Sequence, residues 1–382
     1  MKTQTEMPQE TLESLVRFRD VSGAPYEELL RIIRSHPGVM AARPEPVCQT
    51  DPRSGDRVVY SPSRKLRPHT NSVGTEALPR EAGPCPICKG GTTPVVDVAP
   101  LSEGFTFINE NLYPILFPHD GGGRLEEVGS VSLETSGKNA AGAHFVQWAS
   151  TRHDSDIQNM PRRDVKTILE RLAALEKHLL HTGNLNMPPT ASRDQHGHWG
   201  HVGIIKNCGP LVGGSIAHGH MQIIHTNILP RAIEEDVGFL GRFGESFSSF
   251  FLRENPTELL VKDYGCVYAA VPYFMKRPLD AIIAVKCESR NWLHELDPDE
   301  IAAMAAALRE VTGAVAALML AMGLQLAYNL VFHTGPIGGL YVEVLPLTQV
   351  LGGYEKMGLY LCDGLPSDSA AALRKELQSS AE

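Results

Sequence analysis

The stretch Ser215-Ile-Ala-His218-Gly219-His220-Met221-Gln222-Ile223-Ile224 constrains the fold more than any other part of the chain. His218, His220 and Gln222 recur at every second residue, while Met221 and Ile223 fill alternate positions. Such alternation predicts a strand with its polar side chains on an exposed sheet face and its apolar ones against a core. Two imidazoles and an amide in one row are costly filler, so this face is the candidate for chemistry. A glycine-rich turn, Gly209-Pro210-Leu-Val-Gly213-Gly214, precedes the strand. A weaker copy, Gly335-Pro336-Ile-Gly338-Gly339, precedes a second strand-like run at 340–346. Each turn follows a strand-like segment and a long helical one, at 163–181 (Ile168, Leu169, Leu172, Leu175, Leu179, Leu180) and 298–322. The chain therefore reads as an internal duplication with its break near 230–250, the second copy lacking the histidines.

At 382 residues the chain is long enough for two domains or one large one. With 21% charged and 42% hydrophobic residues it has an ordinary globular composition. A net charge of −9 argues against a general nucleic-acid binder, so an anionic ligand must be held by local arginines. No apolar leader and no run of 18 apolar residues stand out, which argues against export and membrane spanning. Seven scattered cysteines argue against a disulfide framework and for a reducing, cytoplasmic setting.

Residues 1–47 read as an N-terminal helical appendage, with a helical run from Tyr26 to Arg34. A turn at 51–56 feeds a strand, a basic loop carries Arg64 and Arg67, and further strands are expected at 105–108, 143–148 and 201–205. His196, His198 and His201 fall in a polar loop and read as solvent-exposed rather than as metal ligands. Cys85-Pro-Ile-Cys88 places two thiolates on one tight turn, suited to tetrahedral zinc; a redox pair or two unlinked buried cysteines are the rival readings.

Taken in order, Asp51–Pro68, Cys85-x-x-Cys88, Phe107-Ile-Asn109-Glu110, Lys206-Asn207-Cys-Gly209 and Ser215–Gln222 resemble the histidine-triad superfamily. They are most similar to its galactose-1-phosphate uridylyltransferase branch, over roughly residues 48–365. The resemblance implies an α+β protein with a duplicated histidine-triad-like fold, two antiparallel half-barrel sheets with flanking helices. Residues 48–230 would form the catalytic domain and 231–382 a degenerate second domain. It further implies that His220 is the nucleophile, forming a covalent nucleotidyl-histidine. Gln222 would hold the phosphoryl oxygens, where hydrolases of the superfamily carry a third histidine. Because an amide is a poor proton donor, Gln222 favours transfer or phosphorolysis over hydrolysis. Asn207 and Ser215 would bond the phosphates, Arg64 and Arg67 would reach in from a neighbouring subunit of a homodimer, and Phe107, Asn109 and Glu110 would hold base and ribose. Cys85, Cys88, His153 and His218 would bind a structural Zn2+.

In the second copy, Tyr354 and Glu355 match residues that touch the sugar, but Leu361 replaces the family's glutamine. His333 matches one ligand of the family's second metal, where Asp236, Tyr341 and Glu343 stand in place of the others; that metal is expected to be absent or weakly held. Gly219 replaces the family's proline between the histidines. The expected reaction moves a nucleotide between a nucleotide sugar and a sugar 1-phosphate or related acceptor. The alternatives are a nucleotide-sugar or dinucleoside-polyphosphate phosphorylase and an inactive nucleotide-binding module.

Overall fold

A computed structural model describes residues 5–43, 47–51, 54–60, 85–118, 138–182 and 198–379. Thirteen strands occur among them: β1 (Val47–Thr50), β2 (Arg57–Tyr60), β3 (Val95–Pro100), β4 (Phe105–Glu110), β5 (Lys138–Asn139), β6 (Gly142–Trp148), β7 (His201–Cys208), β8 (His220–Thr226), β9 (Leu260–Asp263), β10 (Val267–Ala270), β11 (Ala281–Val285), β12 (Tyr328–His333) and β13 (Tyr341–Pro346). The helices are α1 (Gln9–Leu15), α2 (Tyr26–Ser35), α3 (Pro37–Ala41), α4 (Arg162–Thr182), α5 (Arg231–Phe243), α6 (Phe247–Glu254), α7 (Pro298–Ala321), α8 (Gly353–Lys356) and α9 (Pro366–Ser379). Strands β2, β1 and β5 make a small separate sheet.

The duplication is visible in the main sheet, whose order is β3-β4-β6-β8-β7-β12-β13-β11-β10-β9. Read from the centre outward, the two halves have the same succession of five antiparallel strands. Helix α4 enters before β7 and α7 before β12, so each half carries one long helix at the same place. The two antiparallel half-sheets join where β7 and β12 pair directly, with Asn207 opposite Asn329 and Ile205 opposite Val331. Pairing satisfies backbone groups that both inner edges would otherwise leave open.

One face of this sheet holds the main core. Leucines and isoleucines of α4, alanines and methionines of α7 and the alternate residues Met221 and Ile223 of β8 pack together there. The N-terminal helices join it: Leu29, Leu30 and Ile33 of α2 are buried in the same cluster. Helix α7 is long and apolar enough to cross a membrane by composition, but Met304, Leu308, Val311, Val315 and Met319 along it are buried in this core. On the opposite face a smaller cluster of Met7, Leu12, Ile87, Val95, Phe107, Val146 and Trp148 surrounds the histidine-bearing segment. The turn that delivers this segment bends at Gly209, whose φ of 93° and close approach to the Leu326 carbonyl admit no side chain.

Candidate active site and metal centre

The polar row of the sequence divides at the strand boundary. Strand β8 begins at His220, and His218 lies in the bend before it. From His220 onward the alternation holds; before it, the backbone turns and points His218 elsewhere. None of the three is on an exposed face, as the bare alternation had suggested: His218, His220 and Gln222 are 0%, 7% and 8% exposed. The N-terminal helices and the segment around Cys85 cover the face that a lone strand would present to water.

His218 turns toward the cysteines. Its Nδ1 lies 3.7 Å from the Sγ atoms of both Cys85 and Cys88, and His153 Nδ1 lies 3.8 Å from Cys88 Sγ. The four donor atoms fall within 4.8 Å of one another, a cluster that could hold a metal ion. His218 Nε2 donates to the Ser150 carbonyl at 2.7 Å, which leaves the Nδ1 lone pair facing the thiols. Burial and the adjacent Cys85 push the Cys88 thiol up to about 12. A bound metal ion reverses that preference by favouring thiolates.

His220 is oriented by the same loop. Its Nδ1 donates to the His218 carbonyl at 2.8 Å, so its Nε2 carries the lone pair. Burial lowers its pKa to about 4, which keeps the imidazole neutral at ordinary pH. Trp148 sits directly opposite in β6, its ring 5.1 Å from that of His220 and 5.5 Å from that of His218. Gln222 has a partner that the sequence reading did not assign, His144. The Ile115 backbone N–H donates to His144 Nδ1 at 3.3 Å, and His144 Nε2 lies 3.1 Å from Gln222 Oε1 and 3.2 Å from Asn111 Nδ2. The Gln222 amide is thereby held with its NH2 end away from His144. His144 and Trp148 share one face of β6, and the alternation His144-x-Val146-x-Trp148 was the signal that could have found them.

No family-level sequence model matches the chain. Among characterised proteins it is similar to the ADP-glucose phosphorylase of Arabidopsis thaliana, 23% identical over 353 residues that cover 86% of this chain and 93% of the relative. A galactose-1-phosphate uridylyltransferase of Cryptococcus neoformans is 21% identical, covering 86% of this chain and 89% of the relative. The fold matches a solved uridylyltransferase structure with a TM-score of 0.65 at 22% identity, over 88% of this chain and all of that one. The chain is thus similar over most of its length to ADP-glucose phosphorylase and galactose-1-phosphate uridylyltransferases, and it shares the fold of the latter.

Within this uridylyltransferase-like frame, the other residues singled out from sequence are scattered. Asn207, at the end of β7, accepts from Asn329 of β12 at 2.7 Å, and Ser215 is buried just before His218. Phe107 is fully buried beside Trp148, and Asn109 Oδ1 accepts from Trp148 Nε1 at 2.6 Å. Glu110 corrects the expected Asn109–Glu110 pair. Strand alternation turns it to the other face, where burial pushes its carboxyl well above the usual range, and neither oxygen has a hydrogen-bond partner among the described residues. In the second half, Glu355 accepts from the Gly352 and Leu361 backbone N–H groups, while Tyr354 is exposed. His333 has both ring nitrogens engaged by carboxylates, Nδ1 by Asp236 at 2.8 Å and Nε2 by Glu343 at 3.1 Å. Tyr341 donates to Asp236 at 2.7 Å. Arg64, Arg67 and His196 lie outside the described residues. His198 and His201, read as exposed, are instead buried, because Trp292 from the second half packs against both.

Proposed function

We propose that this protein transfers a nucleoside monophosphate through a covalent intermediate on His220. The observation that carries this reading is the bond from His220 Nδ1 to the His218 carbonyl, which fixes the tautomer whose Nε2 is nucleophilic. The Nε2 lone pair attacks the α-phosphorus of a nucleotide sugar. A P–N bond forms, the P–O bond to the leaving phosphate breaks, and sugar 1-phosphate departs with the electron pair. An oxygen of a second phosphorylated acceptor then attacks phosphorus, the P–N bond breaks, and His220 is regenerated neutral. The Gln222 amide NH2, oriented by His144, donates to the phosphoryl oxygens as charge builds on them. Asn207 and Ser215 would support the phosphates, and Arg64 and Arg67 would complete the site from the second subunit of a homodimer.

The ion we assign to Cys85, Cys88, His153 and His218 is Zn2+. Bond lengths of about 2.3 Å to sulfur and 2.0 Å to nitrogen give tetrahedral edges of about 3.5 Å, close to the 3.7–3.8 Å sulfur–nitrogen separations. Four protein ligands would close the site, so its role is to hold His218, and through its carbonyl His220. The free cysteines fit a cytoplasmic setting.

Inorganic phosphate is the alternative acceptor, favoured by the near full-length likeness to a protein named as a phosphorylase. Mass spectrometry after incubation with a panel of nucleoside diphosphate sugars tests both readings. The expected result is a nucleotidyl adduct on His220 that is lost in His220→Gly. Discharge by sugar 1-phosphates marks a transferase, and discharge by inorganic phosphate alone marks a phosphorylase. Bound nucleotide without any adduct would make the protein a binding module instead.

A further inference from the structure

Three imidazoles far from His220 converge where the two halves of the chain meet. His181 lies in the last turn of α4, His198 just before β7, and His294 in a short 3-10 turn (Leu293–Glu295) between β11 and α7. One ring nitrogen from each comes within 4.8 Å of the other two. The ring centroids are 5.1, 5.8 and 5.5 Å apart, and the planes cross at 77–88°, so no pair is stacked. Mutually crossed rings whose nitrogens approach a common point are what three imidazoles around one ion look like.

A second observation points the same way. Glu176, fully buried on α4, accepts from His294 Nδ1 at 2.7 Å and from the His294 backbone N–H at 2.8 Å. A carboxylate that takes the Nδ1 proton leaves Nε2 as the donor atom, the arrangement seen behind many metal-bound histidines. The other oxygen of Glu176 has no hydrogen-bond partner among the described residues. A buried carboxylate so incompletely paired gains from a cation held nearby.

We propose that His181, His198 and His294 bind a divalent transition-metal ion, Zn2+ first among them, with Glu176 as the outer carboxylate. Imidazole donors suit Zn2+, Cu2+ and Ni2+, and three protein ligands leave a position for water or an anion. The site is distinct from the cysteine cluster. In the antiparallel pair β7–β8, His201 faces Thr226 while Ile205 faces Gln222. His198 is therefore at the far end from His220, roughly 20 Å away at the usual rise per strand residue. The ion would clip α4 of the first half to the turn before α7 of the second.

The test uses the untagged full-length chain, equilibrated with Zn2+, desalted and analysed for metal. Wild type is expected to retain one zinc more than His181→Ala or His294→Ala, and Cys85→Ser to retain this zinc while losing the other. His181 is exposed, so its variant keeps the fold, checked by circular dichroism. Glu176→Gln is expected to weaken zinc at this site 10–100-fold in chelator competition. Equal zinc in wild type and both histidine variants would overturn the site, and unchanged affinity in Glu176→Gln would remove the carboxylate from it.

Discussion

Gly219 stands between the two histidines because Asp156 occupies the space beside it. A Cβ there would lie 2.5 Å from Asp156 Cγ and 2.8 Å from both carboxylate oxygens. Asp156 has no freedom to move away: Oδ1 accepts from Lys206 Nζ at 2.7 Å and from the Ile157 backbone N–H at 2.8 Å. Lys206, 1% exposed, also donates to the His220 carbonyl at 3.3 Å. This ion pair therefore braces the backbone of the proposed nucleophile. Asp156→Ala, which strands a buried ammonium, is expected to cost about 3–5 kcal/mol in chemical denaturation; a loss below about 1 kcal/mol would refute the bracing role. For His144 the expectation is kinetic. Removing the group that aims the Gln222 amide in His144→Ala should lower kcat roughly 10-fold or more with KM little changed. A change confined to KM would show that His144 does not act through Gln222.

At the scale of elements, β12, β13 and α5 meet at His333. Burial alone would lower its pKa, but Asp236 and Glu343 outweigh burial and raise it to about 9 from 6.5. The folded state then binds a proton that the unfolded chain has released, so the sign is set. This contribution to stability is complete below about pH 6.5 and is lost as pH rises through about 9. Melting temperature should fall across that window, and more shallowly in His333→Gln; parallel pH profiles for the two proteins would contradict the ion triad. The same elements show what local sequence can and cannot carry. The helical period of α4 and α7, and the alternation of Met221 and Ile223 in β8, were legible because each records contact with a single core. His198 and His201 were not, because the polarity of their own loop gives no sign of Trp292, some ninety residues on, packing over them. Nor was the break at His218 visible: alternation continued through a bend whose direction is set by Ser150 and the two cysteines. Glu110 was misplaced for the opposite reason, since adjacency in a strand puts neighbours on opposite faces.

For the whole molecule, the homodimer with shared sites that we propose can be tested by complementation. His220→Gly and Arg67→Ala homodimers should each be inactive alone. If subunits exchange at random in a two-fold dimer, a mixture should recover about a quarter of wild-type activity, because each heterodimer rebuilds one intact site. No recovery after verified exchange would mean that each subunit completes its own site.

The join between β7 and β12 bears on how such a chain can be made at all. Were the chain cut near residue 230, each fragment would expose its innermost strand as an open row of backbone donors and acceptors. Those two rows would be templates for association. During synthesis the first half must therefore carry β7 uncapped for more than a hundred residues, until β12 emerges. The period of greatest aggregation hazard is thus written into the order of the strands, and it ends when the copies zip together along their middles.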